Sequence, residues 1–189
     1  MLDLGPMHRS SWDSDPKHVA FMLARYHFVA RMLHGFGDVL EVGAGDGTGE
    51  QIVRPVVGTL VLSDKDKKWG WHPFDPIVDR PPVGVLYDAV YCLDVIEHVD
   101  HLQEQKFLEG IVACLRPHGV AIFGAPSAES QAYASRESVL HHVNCHTEDS
   151  LRHALYGAFS NVFLFGMNDM TLHTGFGPMC HYRLAICTL

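Results

Sequence analysis

Residues 39–49 of the chain read Val-Leu-Glu-Val-Gly-Ala-Gly-Asp-Gly-Thr-Gly. The run before the first glycine is apolar apart from Glu41, as is typical of a buried parallel strand. Gly43, Gly45 and Gly47 follow at alternate positions. Glycine allows a sharp turn and a close approach of a ligand to the backbone, because it has no Cβ. A strand that leads through a glycine turn into a helix predicts a nucleotide-type pocket in an α/β sheet.

The spacing of these glycines distinguishes between classes of ligand. A dinucleotide fingerprint, G-x-G-x-x-G, requires glycine at its sixth position. Counted from Gly43, that position holds Thr48, which disfavours a nicotinamide oxidoreductase. The spacing that is present is acidic-x-Gly-x-Gly-x-Gly, over residues 41–47.

A further acidic residue lies where a nucleoside would need one. Residues 59–63 are predicted to form the second strand, and Asp64 follows them directly. In α/β nucleotide sites, an acid at this place accepts hydrogen bonds from the ribose hydroxyls. The alternative interpretation of Asp64 is a solvated turn residue beside Lys65.

Two later motifs complete a family pattern. Residues 87–99 read Tyr-Asp-Ala-Val-Tyr-Cys-Leu-Asp-Val-Ile-Glu-His-Val, and residues 115–119 read Leu-Arg-Pro-His-Gly. With residues 41–47, they resemble motif I, motif IV and the L-x-P-G-G turn of class I S-adenosylmethionine-dependent methyltransferases, with His118 replacing the first glycine of that turn. The resemblance to small-molecule members covers nearly the whole chain. It is weakest over residues 65–85, where a helix usual in the family is missing from the pattern.

The resemblance implies an α/β fold of the Rossmann-like, doubly wound type. We expect a mostly parallel seven-stranded sheet with an antiparallel C-terminal strand and a truncated region between strands 2 and 4. The last two predicted strands have no helix between them, which also predicts antiparallel pairing. Residues 1–189 are expected to form a single methyltransferase domain, in which residues 1–36 hold an N-terminal helix that acts as a lid. Pro16 begins the helical pattern of that segment.

The resemblance also implies S-adenosyl-L-methionine as the cofactor. The residues expected to contact it are Tyr26, Glu41, Gly43, Ala44, Gly45, Asp64, Lys65, Asp75, Leu93 and Asp94. Tyr26 is expected to reach the carboxylate of the cofactor, and Asp75 is expected to meet the adenine amino group. For both residues a packing or loop role is the alternative.

Two loops are expected to build the acceptor pocket, because loops at the C-terminal ends of parallel strands face the ligand crevice. These loops are residues 126–147 and 166–180, and both are rich in histidine, asparagine and aromatic residues. This composition suits a small-molecule or glycan acceptor with an apolar wall, with O-methylation preferred over N-methylation. A cofactor-binding regulatory protein without turnover is the alternative, motivated by the shortened segment 65–85.

Histidines beside the fourth strand are candidates for a general base. A hydroxyl acceptor must lose its proton, and histidine titrates near neutral pH. His98 follows the fourth strand and His142 lies in the first acceptor loop, so both are predicted to be catalytic. Asp94, Glu97 and His98 also match an acid-x-x-Glu-His pattern similar to the divalent-cation site of ubiquinone-biosynthesis O-methyltransferases. We expect no metal, and these three residues are the candidate ligands should one bind.

Composition limits the classes of function. The chain has 189 residues, of which 47% are hydrophobic, and no apolar run approaches the roughly 20 residues of a membrane span. The net charge of −8, without a block of lysine and arginine, disfavours a nucleic-acid partner. Five cysteines without a C-x-x-C pair, and no secretory signal at the N-terminus, predict reduced thiols and a cytoplasmic location. Nothing in the composition favours one oligomeric state.

Overall fold

The computed structural model of the protein describes residues 12–81 and 84–189. The strands are β1 (Asp38–Val42), β2 (Thr59–Asp64), β3 (His72–Pro73), β4 (Tyr87–Leu93), β5 (Leu115–Pro126), β6 (Asn161–Asn168), β7 (Thr171–His173) and β8 (Tyr182–Thr188). The helices are α1 (Pro16–Met32), α2 (Glu50–Val53), α3 (Glu104–Ala113), α4 (Arg136–His141) and α5 (Glu148–Tyr156), and single 3₁₀ turns connect several elements.

The strands form one sheet in the order β3-β2-β1-β4-β5-β8-β6-β7. The pairs from β3 to β5 are parallel, whereas β8 runs antiparallel to both of its neighbours and β7 runs antiparallel to β6. The expected mixed, mostly parallel sheet is therefore confirmed. Seven strands were expected, whereas the described residues form a sheet of eight. The chain turns back at Asp169, whose φ is +51°, and the short β7 pairs with the end of β6.

Helices cover both faces of the sheet. On one face, α3 and α5 bury Phe107, Leu108, Ile111, Leu151 and Leu155 against the strands. On the other face, α1 buries its apolar stripe, as predicted for a helix that begins at Pro16. Because both faces are covered, the central strands are apolar along nearly their whole length. Among the described residues, no helix is both long and apolar enough to cross a membrane.

The order of the sheet places a crevice at the C-terminal ends of β1 and β4. The chain proceeds outward from β1 to β2 and β3, and then returns to the other side of β1 at β4. Such a reversal of strand order is the switch point at which open α/β sheets bind ligands. The glycine turn leaves β1 and the residues of motif IV leave β4 at this same edge of the sheet.

The segment between β2 and β4 is short, as predicted. Within its described part, residues 65–81 and 84–86, the structure has a 3₁₀ turn at Lys67–Trp69 and the two-residue β3, but no α-helix. The chain instead packs directly on α3. Gly110 of α3 lies so close to the carbonyl of Pro76 that a Cβ at Gly110 would overlap it. The absence of a side chain at Gly110 therefore lets the short segment close this side of the sheet.

The side chain of Leu108 is 0% exposed and belongs to the core between α3 and the sheet. Replacement of Leu108 by alanine is expected to lower the free energy of unfolding by about 2–5 kcal/mol, because it removes buried methyl groups and leaves a cavity. Leu102→Ala is the matched control, since Leu102 is 79% exposed. Urea denaturation measures both variants, and equal losses in the two would contradict this assignment of the core.

Candidate active site

The glycine turn after β1 has the backbone conformation that its sequence predicts. Gly43, Gly45 and Gly47 have φ values of +76°, +54° and +73°, in the left-handed region that favours glycine. A Cβ at Gly43 would lie 2.5 Å from Val95, and a Cβ at Gly47 would lie 2.7 Å from Trp71. At Gly45, in contrast, no atom lies within 4 Å of the Cβ position. Gly45 therefore presents bare backbone to open space, as a cradle for a ligand requires.

Asp64 lies at the end of β2 and contacts the glycine turn. Its Oδ2 accepts a hydrogen bond from the backbone N–H of Gly45 at 3.0 Å, and its Oδ1 accepts one from the N–H of Asp66 at 2.8 Å. Each carboxylate oxygen has capacity for a further hydrogen bond, so Asp64 can still accept from ligand hydroxyls. The neighbouring Lys65 is exposed on the turn that follows.

Glu41 lies beneath the turn, where its side chain is buried. Its Oε2 accepts a hydrogen bond from the hydroxyl of Tyr91 at 2.7 Å, and the hydroxyl of Tyr26 on α1 also donates to this carboxylate. The ring of Tyr26 lies against Gly49, where a Cβ would overlap it. Glu41 thus connects α1 and β4 to β1 below the cradle. A direct contact of Tyr26 or Glu41 with the cofactor stays a prediction.

Burial raises the pKa of Glu41 from 4.5 to about 7, although the two tyrosine hydroxyls partly oppose this rise. The folded state therefore holds a proton that the unfolded chain has released, and the stabilisation present below pH 4.5 is lost as the pH rises through about 7. We expect the free energy of unfolding to lose about 3 kcal/mol over this range through Glu41.

Glu41→Gln removes the titration and keeps an acceptor for both tyrosines. Urea denaturation between about pH 5 and about pH 8 should give a flatter pH dependence for this variant than for the wild type. Glu109→Gln is the control, because Glu109 is exposed on α3, where its Oε1 accepts a hydrogen bond from Gln105 at 3.2 Å. If the free energy of unfolding had the same pH dependence in the wild type and in Glu41→Gln, the raised pKa of Glu41 would be ruled out.

At the end of β4, Leu93 packs in the core and Asp94 faces α1. Asp94 has a φ of +56°, and both of its carboxylate oxygens accept from Nη1 of Arg25 at 2.9 Å. The guanidinium of Arg25 also lies 3.8 Å from the centre of the Tyr182 ring. Arg25 and Tyr182 are absent from the residues expected from the sequence. A sequence signal for Arg25 does exist, since it is a charged residue beside the apolar stripe of α1.

The first acceptor loop lies over the residues that leave β4. The carbonyl of Glu97 accepts hydrogen bonds from the N–H groups of Val143 and Asn144, at 2.9 and 3.0 Å. Nδ1 of His98 lies 2.9 Å from the carbonyl oxygen of His141. Two backbone hydrogen bonds and one side-chain contact therefore bring the predicted acceptor loop and motif IV together.

His98 and His142 lie side by side, with ring centroids 5.2 Å apart. Because a carbonyl only accepts, the contact with His141 places the proton of neutral His98 on Nδ1 and leaves Nε2 basic. Nδ1 of His142 likewise faces Oε1 of Gln131 at 2.9 Å. Burial and the neighbouring His98 lower the pKa of His142, which favours its neutral form. In the tautomers that these contacts favour, Nε2 of each neutral imidazole can accept a proton.

Glu97 lies next to this histidine pair and its side chain is buried. Neither carboxylate oxygen accepts a hydrogen bond from another described residue. Burial, and then the charge of Asp94, raise the pKa of Glu97 well above its usual value. Glu97, His98 and His142 each offer one ligand atom within 4.8 Å of the others. Of the three candidate metal ligands from the sequence, Glu97 and His98 lie together in the structure, and His142 joins them. The third candidate, Asp94, instead forms an ion pair with Arg25.

The remaining predicted residues lie farther out. Asp75 follows β3 in a turn beside α3, where its Oδ1 accepts from the N–H of Ile77 at 3.0 Å. The adenine contact expected of Asp75 stays a prediction. The second acceptor loop was expected over 166–180, but β6 extends to Asn168 and β7 occupies part of the remainder. His173 in β7 contacts Oδ1 of Asn168 at 2.7 Å, so it supports the hairpin.

Comparisons with known proteins agree with this geometry. Residues 16–159 match the family model described as methyltransferase domain. The ubiquinone biosynthesis O-methyltransferase of Rickettsia canadensis (strain McKiel) is 42% identical over 109 residues, which cover 51% of this chain and 45% of that protein. The corresponding protein of Rickettsia typhi (strain ATCC VR-144 / Wilmington) is 42% identical over 48 residues, covering 25% of this chain and 19% of that protein. The chain thus spans less than half the length of these curated relatives.

Solved structures share the fold at low sequence identity. The N-methyltransferase NodS from Bradyrhizobium japonicum WM9, in complex with S-adenosyl-l-homocysteine, superposes with a TM-score of 0.63 at 15% identity, over 99% of this chain and 89% of that one. The methyltransferase domain of bacterial-CtHen1-C superposes with a TM-score of 0.71 at 15% identity, over 89% and 98%. Small RNA methyltransferase HEN1 gives 0.70 at 15% identity, over 87% and 24%. The chain therefore belongs to the methyltransferase domain family, and its resemblance to class I S-adenosylmethionine-dependent methyltransferases is confirmed.

Proposed function

We propose that the protein transfers a methyl group from S-adenosyl-L-methionine to an oxygen atom of a small molecule. The observation that carries this proposal is the position of two features at one edge of the sheet. The open face of Gly45 follows the end of β1, with Asp64 beside it. The histidine pair His98 and His142 lies where the chain leaves β4, the strand next to β1. A donor cradle and a basic group that face one crevice are what methylation of a hydroxyl requires.

The residues present fit this cofactor. The bare backbone of Gly45 admits a close ligand, and Asp64 has acceptor capacity for the two ribose hydroxyls. We assign Gly43 and Ala44 to the amino-acid end of the cofactor, together with Leu93 and Asp94 at the end of β4. Tyr26 and Glu41 support this end from below, and Lys65 and Asp75 are assigned to the adenosine side. When bound, the cofactor supplies an electrophilic methyl group on a sulfonium.

The protein contributes positioning and a base. In the tautomers that their Nδ1 contacts favour, His98 and His142 present Nε2 as an acceptor, so either neutral imidazole can take the proton of an acceptor hydroxyl as that oxygen gains the methyl group. Hydrogen bonds to Glu97 and His98 hold the loop over residues 126–147 against the end of β4, which positions His142 beside His98. We infer that His98 and His142 form one basic pair, with one of them receiving the proton.

A small-molecule acceptor agrees with the relatives and with the charge of the chain. The curated relatives are described as O-methyltransferases of ubiquinone biosynthesis, which makes hydroxylated precursors of ubiquinone the first acceptors to test. A glycan is the second class, given the polar loops. The net charge of −8 opposes binding to a phosphate backbone, although one structural neighbour is a small RNA methyltransferase. We also propose a single domain and a cytoplasmic location, with residues 12–36 in the expected lid. The first part of that predicted lid, residues 1–11, lies outside the described residues.

The experiment that tests the proposal has two parts. Calorimetric titration with S-adenosyl-L-homocysteine measures whether the cofactor site is formed. Transfer of label from methyl-labelled cofactor is then followed with ubiquinone precursors, sugars and a small RNA, and the product is identified by mass spectrometry. Absence of binding would refute the methyltransferase assignment. Binding without transfer to any acceptor would support the regulatory alternative, and transfer to RNA alone would overturn the small-molecule assignment.

We propose that the reaction needs no metal ion. Asp94 is already paired with Arg25, and Glu97 would have to lose the proton that burial favours before it could bind a cation. Dialysis against EDTA is therefore expected to leave the rate of methyl transfer unchanged, and titration with Mg²⁺ or Zn²⁺ should release no heat. Heat of metal binding that is lost in both Glu97→Gln and His142→Gln, or wild-type activity that EDTA abolishes and the metal restores, would overturn this expectation.

A further inference from the structure

We propose that Trp71 is a positioning residue for the cofactor, because it fixes the peptide of Gly45 in the orientation that the cofactor needs. The proposal rests on the assigned use of S-adenosyl-L-methionine and adds a residue outside the family's motifs. Trp71 lies in the short segment between β2 and β4, for which the motifs provide no role.

Residues 64–71 hold both polar groups of Gly45. The indole N–H of Trp71 donates a hydrogen bond to the carbonyl oxygen of Gly45 at 2.8 Å. From the other side, Oδ2 of Asp64 accepts from the N–H of Gly45 at 3.0 Å. Gly45 has no side chain to fix its orientation, and its φ of +54° lies in a region where glycine moves freely. Two hydrogen bonds from one short segment therefore fix the residue that faces the ligand.

The sequence around Trp71 makes this contact possible. Gly70 has a φ of +77° and ends the 3₁₀ turn at Lys67–Trp69, so that the chain reverses toward the glycine turn. Gly47 leaves room for the ring, since a Cβ there would lie 2.7 Å from Cζ2 of Trp71. The indole packs beside the buried Leu62 of β2 and is itself half-buried. The short segment thus provides a rigid aromatic support for the turn.

The physical consequence is a cradle that is formed before the cofactor arrives. A loop that must be ordered on binding lowers affinity, because the free-energy cost of ordering it offsets part of the favourable free energy of binding. The indole supplies this order through a single neutral hydrogen bond and its ring contact. Loss of the indole N–H should therefore weaken the affinity for the cofactor, whereas the rate at saturating cofactor should stay the same.

The test uses Trp71→Phe, which keeps an aromatic ring and removes the N–H donor. The dissociation constant for S-adenosyl-L-homocysteine, measured by calorimetry, is expected to rise about three- to tenfold, the loss that one neutral hydrogen bond brings. Once a methyl acceptor is identified, KM of Trp71→Phe for S-adenosyl-L-methionine should rise by the same factor, while kcat stays within about twofold of the wild-type value. Trp69→Phe is the matched control, because the ring of Trp69 faces the amino group of Lys68 at 4.7 Å.

Fluorescence gives a readout that a merely structural role would not produce. The chain has three tryptophans, so the double variant Trp12→Phe, Trp69→Phe leaves Trp71 as the single emitter. S-adenosyl-L-homocysteine should change its emission with the dissociation constant found by calorimetry. This measurement stands even if Trp71→Phe fails to fold.

Three results would overturn the inference. They are an unchanged affinity in folded Trp71→Phe, an affinity that rises because the indole obstructs the site, and an emission of Trp71 that does not respond to the ligand. A wild-type protein that binds no S-adenosyl-L-homocysteine would refute the cofactor assignment itself. The two failures are therefore distinguishable.

Discussion

Replacement of Asp64 by alanine is expected to weaken binding of S-adenosyl-L-homocysteine by at least about a hundredfold. The carboxylate of Asp64 holds the N–H of Gly45 and is assigned to the ribose hydroxyls of the cofactor. Hydrogen bonds to a charged group contribute roughly 1.5–3 kcal/mol each, and about 1.4 kcal/mol corresponds to a factor of ten. Loss of two such bonds therefore accounts for the expected change, which calorimetry measures directly.

Asp66→Asn is the matched control for this variant, because it keeps the side-chain oxygen that accepts from the N–H of Lys68 and caps the turn at Lys67–Trp69. Asp66 lies on the same turn, and its carboxylate charge pairs with Lys68 on the surface. Its removal is expected to change the affinity by less than about threefold, because exposed ion pairs contribute little. Asp64→Asn should fall between the two, since it keeps the shape and loses the charge. An affinity of Asp64→Ala within about threefold of the wild type would remove Asp64 from the cofactor site.

Replacement of His98 by glutamine is expected to lower kcat by about 10²- to 10⁴-fold, the range that a general base contributes. Glutamine can still donate to the carbonyl of His141, as Nδ1 of His98 does, but it cannot take a proton. The affinity for S-adenosyl-L-homocysteine should remain within about twofold, because the cofactor cradle is untouched. Methyl transfer at saturating acceptor and cofactor measures the effect, and a comparable loss in His142→Gln would show that the pair acts as one unit.

His101→Gln provides the control, because His101 lies nearby on the surface with 72% of its side chain exposed. The pH profile gives an independent criterion. If His142 is the base, kcat should fall toward acid pH with a midpoint below 6.5. The reason is that the pKa of this imidazole lies below its usual value of 6.5, so it becomes protonated only at a lower pH. A profile that is flat below this value, or a full rate in both histidine variants, would exclude the pair from proton transfer.

Local features of the fold were predictable from the sequence. The helix that begins at Pro16 and the strand and glycine turn within residues 39–47 appear where their residues predict them. Each is specified by neighbours in the chain, through a fixed proline φ, an apolar run or a glycine φ. Their agreement with the structure follows from this short range.

Contacts between distant residues were not predictable in the same way. Arg25 meets Asp94 across 69 positions of the chain, and the indole of Trp71 meets Gly45 across 26. The sequence indicated that Tyr26 belongs to the lid, but its hydroxyl donates to Glu41 beneath the glycine turn. No spacing rule connects these pairs, because their proximity depends on how the helices pack against the sheet.

The sequence by itself determined the class of fold, the position of the glycine turn and the family, because glycine spacing and strand patterns are local properties of the chain. The tertiary structure decided which side chains meet at the crevice. In the fold, Glu97 and His98 of motif IV lie beside His142, which belongs to a loop more than 40 residues away. Asp94 accepts a hydrogen bond from Arg25 of α1. The physical reason is that parallel strands bring loops from distant parts of the chain to one edge of the sheet, where burial and charge then define the chemistry of each group.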